Sequence, residues 1–453
     1  MSARVAEGES RMATRWQNWG RTVGCNPERT HAPGSEDELA ALIAQAAASG
    51  GRVKVVGSGH SWTDIACTDR THLRLEAMDD RLEIAPDRRS AWVPAGMRLS
   101  SCVEALAKEG LALPNLGSIA AQTVGGVVAT GTHGTGIGIG NLSSFVLGMR
   151  IVDGMGRVRS LSPEQDGDDF RDARVHLGAL GVVTRLRFRV VPAFRLRERL
   201  RLLPFETAVA SLPDLLEAHA HLKLWWLPGT DDVQVYAFDR TEDPDSGPGS
   251  LAVRLDQAGG SRPAFAAVLG LSRWMPSLVP MLHGAVQTAS FGPRERVQDA
   301  VKVMTLGMPP VHDECEYAIR VERTQEAMHA WHRMVRRADY AVDFMQEVRF
   351  VAADDIALSN AHGHAVAAIG AYQANASTAP AYFRDFQSLM ADFEGRPHWG
   401  KTFDRGPESL AVLYPRWDDF RSLRDRMDPE GVFRNAFVDR LFPSDERPDG
   451  TQP

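Results

Sequence analysis

Glu347 and Arg349 lie two residues apart in a β-rich run, residues 342–351. Period-two alternation puts both on one face, with Val348 and Phe350 on the other, so a carboxylate and a guanidinium project together. Such a pair can hold an oxygen that gains negative charge, or it can be an ion pair on an exposed sheet. Lys401 supplies another cation in His398-Trp399-Gly400-Lys401, a peptide that also reads as ordinary surface. A third candidate is Gly57-Ser58-Gly59-His60-Ser61, which follows the strand-like Arg52-Val53-Lys54-Val55-Val56. Glycines after a strand expose successive N–H groups to a phosphate, and Ser58 and Ser61 add hydroxyls; a tight structural turn is the other reading. Trp62 stands where the dinucleotide fingerprint needs its third glycine, so a Rossmann reading fails there.

Eight glycines fall within residues 117–140, where average usage of about 7% predicts roughly two. Val124, Val127 and Val128 interleave with them as in buried structure, so the segment suits a large flat ligand approached by backbone. A flexible glycine loop is the alternative. His329/His332 and His362/His364 lack companion ligands at credible spacing, and no metal is expected.

The elements that position these residues change style along the chain. Leu39, Leu42, Ile43 and Ala46 predict a helix over residues 36–48, and a second helix over 100–109 is closed by Gly110. A half-exposed strand is expected at 182–190, with a boundary at Pro192. Beyond it, residues 223–227 and 232–238 read as a hairpin. Residues 314–321 and 342–351 read as strands flanking a helix with Ala327, Trp331, Val335 and Ala338 on one face. This is an antiparallel α+β second domain, with a surface loop over 242–249.

The chain has 453 residues, 43% hydrophobic and 24% charged, with 51 Lys and Arg against 58 Asp and Glu for a net charge of −7. At about 150 residues per domain this is two or three globular domains. Disorder is excluded as the main state, and no global basic bias favours nucleic acid or anionic lipid. Cys25, Cys67, Cys102 and Cys315 form no disulfide framework, so a reducing cytoplasm is expected. No signal peptide or membrane span is expected; the most apolar stretch, 265–282, is broken by Arg273, Pro276 and Pro280.

Together the motifs resemble the vanillyl-alcohol-oxidase-type flavoproteins, within them the sugar-lactone oxidases (L-gulono-1,4-lactone and D-arabinono-1,4-lactone) and the alditol oxidases. The anchors span residues 16–442: Trp16-Gln17-Asn18-Trp19, Val55 to Ser61, Ala129-Thr130-Gly131-Thr132-His133-Gly134, Glu347-Val348-Arg349-Phe350, Arg396 to Lys401 and Asp428-Pro429-Glu430-Gly431-Val432-Phe433-Arg434-Asn435. The resemblance implies a flexible start (1–15), a two-subdomain FAD-binding domain (16–191), an antiparallel-sheet cap carrying substrate residues (192–395), a C-terminal segment returning to the flavin (396–442) and a flexible tail (443–453). It implies FAD contacts at Gly57, Ser58, Gly59, His60, Ser61, Ser118, Thr123, Gly126, Thr130, Gly131, Thr132, His133 and Val183, with a covalent flavin bond through His60.

By the same resemblance Glu347, Arg349 and Lys401 are the catalytic set, and Ser118, Tyr372 and His398 bind substrate. Gly117 leaves O2 room near the flavin. Gly370 and Tyr372 stand where alditol oxidases present His and Thr, and Gly370 is expected to open space for a bulkier sugar. The implied activity is oxidation of a sugar lactone by FAD, with O2 as acceptor and H2O2 as product. The alternatives are a polyol oxidase, a dehydrogenase using another acceptor, and a catalytically silent flavin-binding protein.

Overall fold

The computed structural model describes residues 11–12, 15–79, 81–246, 262–290, 292–337 and 340–443. The expected flexible start and tail lie outside these residues, apart from Arg11, Met12, Arg15 and Pro443, and so do loop residues 247–249 and Ala338.

A small sheet comes first, ordered Arg11–Met12, Arg29–His31, Thr71–Leu73, Val53–Val55, with the last three strands parallel. The helix Glu36–Ala48 crosses between two of these strands; Ser35 caps it through the N–H of Glu38, and Leu39 and Ile43 are its buried stripe. A second sheet follows, antiparallel in the order Val158–Leu161, Val146–Val152, Val182–Arg189, Ser90–Pro94, Glu83–Ile84. The helices Leu99–Lys108 and Val124–Ala129 share its core. Gly110, at φ +68, ends the first of these in the left-handed conformation that favours glycine.

The remaining domain is one eight-stranded antiparallel sheet. Its order is Arg294–Asp299, Arg195–Pro204, Asp232–Thr241, His221–Trp226, Gln346–Val351, Val366–Gln373, Asp313–Arg320, Arg396–Pro397. One face is packed by the helices Phe205–Ala210, Thr324–Arg337 and Ala379–Ala391, with Trp331 and Phe386 at the centre. Side-chain alternation turns the other face toward the first two sheets.

The strand expected over 342–351 forms only at Gln346–Val351. Upstream of it, Asp343 accepts the Ala374 N–H at 2.8 Å and the Ser272 hydroxyl at 3.2 Å, so local side-chain bonds replace the ladder. Arg396–Pro397 pairs with Ala318 and Tyr317, so the C-terminal segment starts as an edge of the large sheet. It then returns to the N-terminal domain, where Val432 accepts the Val53 N–H at 2.8 Å.

Candidate active site

A cavity of about 930 Å³ lies between the large sheet and the glycine-rich loops. Glu347 and Arg349 face it from the centre of the sheet, while Val348 and Phe350 point into the helix-covered core. Register sets their neighbours: Trp225 stands opposite Glu347 on one side and Gly370 on the other, with Glu316 one strand further. The end of this strand is tied to the N-terminal domain, because Gly136 donates to the Phe350 carbonyl at 2.7 Å. That bond sets Arg349 beside His133.

Glu347 receives three donors. Trp225 Nε1 lies 2.7 Å from Oε1, and Oε2 takes the Tyr372 hydroxyl at 2.9 Å and Arg349 Nη2 at 2.8 Å. Arg349 also reaches Glu316 Oε2 at 3.4 Å and the His133 carbonyl at 3.2 Å. Burial works against its charge, but Glu347 and the neighbouring anions more than offset this and push its pKa up. Lys401 pairs with Glu314, its Nζ 4.3 Å above the Trp62 ring. Burial raises the Glu314 pKa, yet Lys401 and His312 outweigh it and hold the carboxyl at about 2. The Glu316 pKa is likewise held well below its usual range, against burial, by His133, whose Nε2 lies 2.9 Å from Oε1.

His398 is buried, and burial drives its pKa down to about 3, so the ring is neutral; its Nδ1 accepts the Gly400 N–H at 3.0 Å. His133, Glu316 and His398 offer ligand atoms within 4.8 Å of one another, a metal-sized set that spacing along the chain did not reveal. His133 and Arg349 already occupy the shared Glu316 carboxylate, with the neutral His398 ring packed beside His133, so the trio reads as part of a His133–Glu316–Arg349 network.

Among the residues singled out from sequence, His60, Ser61, Gly117, Ser118, Thr130, Thr132, His133, Glu347, Arg349, Tyr372, His398 and Lys401 all line this cavity. Gly57, Ser58, Gly59, Thr123, Gly126, Gly131 and Val183 do not. Val183 is a buried residue of the Val182–Arg189 strand, and Gly126 accepts the Thr130 hydroxyl at 3.2 Å.

One expectation is overturned. Gly370 opens no space, because a Cβ there would stand 2.8 Å from Tyr372 Cε2 and 3.3 Å from its hydroxyl. The ring of Tyr372 lies back over the glycine and fills the room. At Gly117 the gap is bounded too, since a Cβ would lie 3.1 Å from Thr132 Cγ2 and 3.3 Å from the His133 carbonyl.

Sequence reasoning missed Glu314, Glu316, His312, Lys223 and Trp225, which line the same cavity. A signal existed, because Glu314 and Glu316 alternate in a strand, as do Lys223 and Trp225.

The glycine segments fit FAD. No backbone N–H of residues 57–61, or of residues 117–123, donates to an acceptor among the described residues, and Ser58 Oγ is a buried orphan. Runs of unpaired N–H groups beside a strand end suit a diphosphate. Gly57 must be glycine, since a Cβ would fall 2.3 Å from Thr123 Oγ1, and Gly59 takes φ +70. His60 stacks on Trp19 at 5.7 Å, and burial, then Lys401 and Arg98, lower its pKa to about 4.

Residues 27–162 match the family described as FAD binding domain, which sets the protein among the FAD-binding oxidoreductases. Residues 186–441, more than half of the chain, match the family described as D-arabinono-1,4-lactone oxidase, and the chain belongs to that family. It is 35% identical over 436 residues to an L-gulono-1,4-lactone dehydrogenase of Mycobacterium tuberculosis, covering 95% of this chain and 100% of the relative. It is 31% identical over 442 residues to an L-gulonolactone oxidase of Bos taurus, covering 94% and 98%. The cholesterol oxidase of Brevibacterium sterolicum superposes with a TM-score of 0.82 over 95% of this chain and 97% of that one; at 14% identity it shares the fold. Among the described residues no helix is long and apolar enough to cross a membrane.

Proposed function

We propose that the protein oxidises a carbinol of a sugar-derived lactone, with FAD as cofactor and O2 as electron acceptor, releasing H2O2. The observation that carries this reading is the pair of cavity cations, Lys401 and Arg349, each matched to a buried carboxylate. Bound FAD supplies a two-electron acceptor for the hydride of the carbinol C–H. The residues of the chain manage oxygen and proton. Lys401 and Arg349 hold the substrate oxygen and stabilise negative charge as its proton leaves. Glu347 orients Arg349, and with about four acceptor sites and three filled it keeps one for a substrate hydroxyl. Glu314 and Glu316, held as anions, pair with Lys401 and Arg349 respectively.

A covalent bond from His60 to the flavin 8α-methyl carbon belongs to the same reading. It is supported by an imidazole that stays neutral, hence nucleophilic, above about pH 4. Gly117 is assigned the O2 approach as a glycine of the cavity wall beside Ser118, a narrow passage bounded by Thr132 and His133, and Ser118, Tyr372 and His398 bind the sugar. Four free cysteines suit the cytoplasm.

Anaerobic bleaching of the flavin with L-gulono-1,4-lactone, D-arabinono-1,4-lactone and xylitol tests the activity. Bleaching by a lactone, slowed at least about tenfold in Lys401→Met and Arg349→Ala, is the expected result. Unchanged rates in both variants remove the assignment, and bleaching by xylitol alone moves it to polyols. Reoxidation by dyes and not by O2 converts the reading to a dehydrogenase, the name the mycobacterial relative carries. Flavin fluorescence that stays with the denatured chain, and is lost in His60→Ala, is expected for the covalent bond.

A further inference from the structure

Six Lys and Arg side chains line the cavity against four carboxylates. Arg349 and Lys401 are paired as described; Arg294 and Arg296 both hold the buried Glu198, and Lys302 holds Asp299 at 3.3 Å. Lys223 differs. It is 7% exposed, and among the described residues its Nζ has neither a carboxylate within 4 Å nor a hydrogen-bond acceptor. Its contacts are ring faces: Trp225 at 4.0 Å, Tyr236 at 4.7 Å and Phe238 at 5.8 Å. Ring faces offset part of the cost of desolvating an ammonium, but they leave its three N–H donors without oxygen partners.

The charged groups around it are Glu347, Glu198, Arg349 and Arg294. Burial lowers the Lys223 pKa to about 8, so it is still mostly protonated at neutral pH. Lys223 stands directly opposite Arg349 on the neighbouring strand, and such strands lie about 4.8 Å apart. Both side chains line the cavity, the Lys223 ammonium turned toward Tyr236 and the Arg349 guanidinium toward Glu316, so two ends of one substrate can be held from paired strands.

We propose that Lys223 receives a free carboxylate on the substrate, at the end remote from the oxidised carbinol, so that the natural substrate is an acidic sugar derivative. The inference rests on the sugar-oxidising reading above and names the substrate class for that site. A carboxylate would balance the Lys223 charge and accept the ammonium N–H groups, while the aromatic box excludes water around the pair. A neutral sugar hydroxyl would satisfy a donor and leave the charge unpaired.

The test compares D-glucaro-1,4-lactone with D-glucono-1,4-lactone, which differ only by a carboxylate in place of a terminal CH2OH. Binding to the flavin-loaded protein is read by tryptophan fluorescence, since Trp225 touches Lys223, and needs no turnover. The expected result is a preference for the carboxylate ligand of at least about tenfold, as for a charge-assisted hydrogen bond. Lys223→Met should abolish that preference with an unchanged flavin spectrum, and Lys223→Arg should restore most of it. Equal affinities in the wild type, no binding of either ligand, or a preference that survives in Lys223→Met each overturn the proposal. Flavin bleaching by neutral lactones without a carboxylate preference overturns Lys223 alone, whereas a preference without bleaching by any lactone overturns the oxidase reading and leaves Lys223 standing.

Discussion

At Gly370 a missing side chain has a definite use. The glycine faces Glu347 on one neighbouring strand and Glu316 on the other, and the Tyr372 ring occupies the volume a methyl would take. Only from that position does the Tyr372 hydroxyl reach Glu347 Oε2. Gly370→Ala is therefore expected to push the ring off the carboxylate at a cost of about 1–3 kcal/mol, the usual range for overpacking. Lactone KM should rise several-fold while the flavin spectrum stays as it was, and Gly370→Ala with unchanged KM would show that the ring has somewhere else to go. This contact was illegible in the sequence, where Gly370 and Tyr372 read only as two positions on one strand face. The shared face of Glu347 and Arg349 was legible, because period two is a local property, whereas their place and that of Lys401 in one site came from the family resemblance. Their partners Glu314, Glu316 and Trp225 came from strands whose order in the sheet no local pattern reveals.

Elements carry the site by their ends. The strand Gln346–Val351 runs into the loop that contains Asp354, whose carboxylate accepts Asn141 Nδ2 at 2.9 Å and the Ser359 hydroxyl at 2.6 Å. Asn141 caps a turn of the N-terminal domain, so this cluster joins the strand bearing Arg349 to the loops bearing His133. Burial raises the Asp354 pKa to about 6. A carboxyl whose folded pKa lies above its ordinary value contributes stability that is full at low pH and lost as pH rises through about 6. The shift corresponds to roughly 1–3 kcal/mol once partial exposure is allowed for. Asp354→Asn forfeits a hydrogen bond at every pH but cannot ionise. Urea unfolding should show the wild type ahead at pH 4.5 and its lead shrinking by that amount at pH 8; a constant gap would place the ionisation elsewhere. Helix Glu36–Ala48 matched its apolar spacing to the residue, whereas the strand expected from residue 342 began at Gln346, because the Asp343 side chain captures the backbone there.

The molecule as a whole is closed by residues 396–442. A change of style near Pro192 was legible from patterning, whereas the return of the C-terminus was expected from the family resemblance alone, since nothing local states which distant backbone a segment will meet. Trp62 donates its N–H to the Gly400 carbonyl at 2.7 Å and Thr63 its hydroxyl to the Trp399 carbonyl at 3.1 Å, just beyond the turn that presents His60. Asn435 does more: its Nδ2 donates to the carbonyls of Asp64, Ile65 and Cys67 at 2.9–3.2 Å, while its Oδ1 caps the helix Ala436–Leu441 through the Val438 N–H. Asn435→Ala removes a cap worth about 1 kcal/mol and strips three carbonyls of a donor, for a total of about 2–4 kcal/mol. Asn435→Asp keeps the cap and loses the donor, which separates the two roles. The Tm should fall by several degrees in the alanine variant, and both variants should hold the His60 turn more loosely, with the flavin made more accessible to a collisional quencher such as iodide. A drop in Tm with quenching unchanged in both would mean that the C-terminal segment supports the core without steadying the flavin turn.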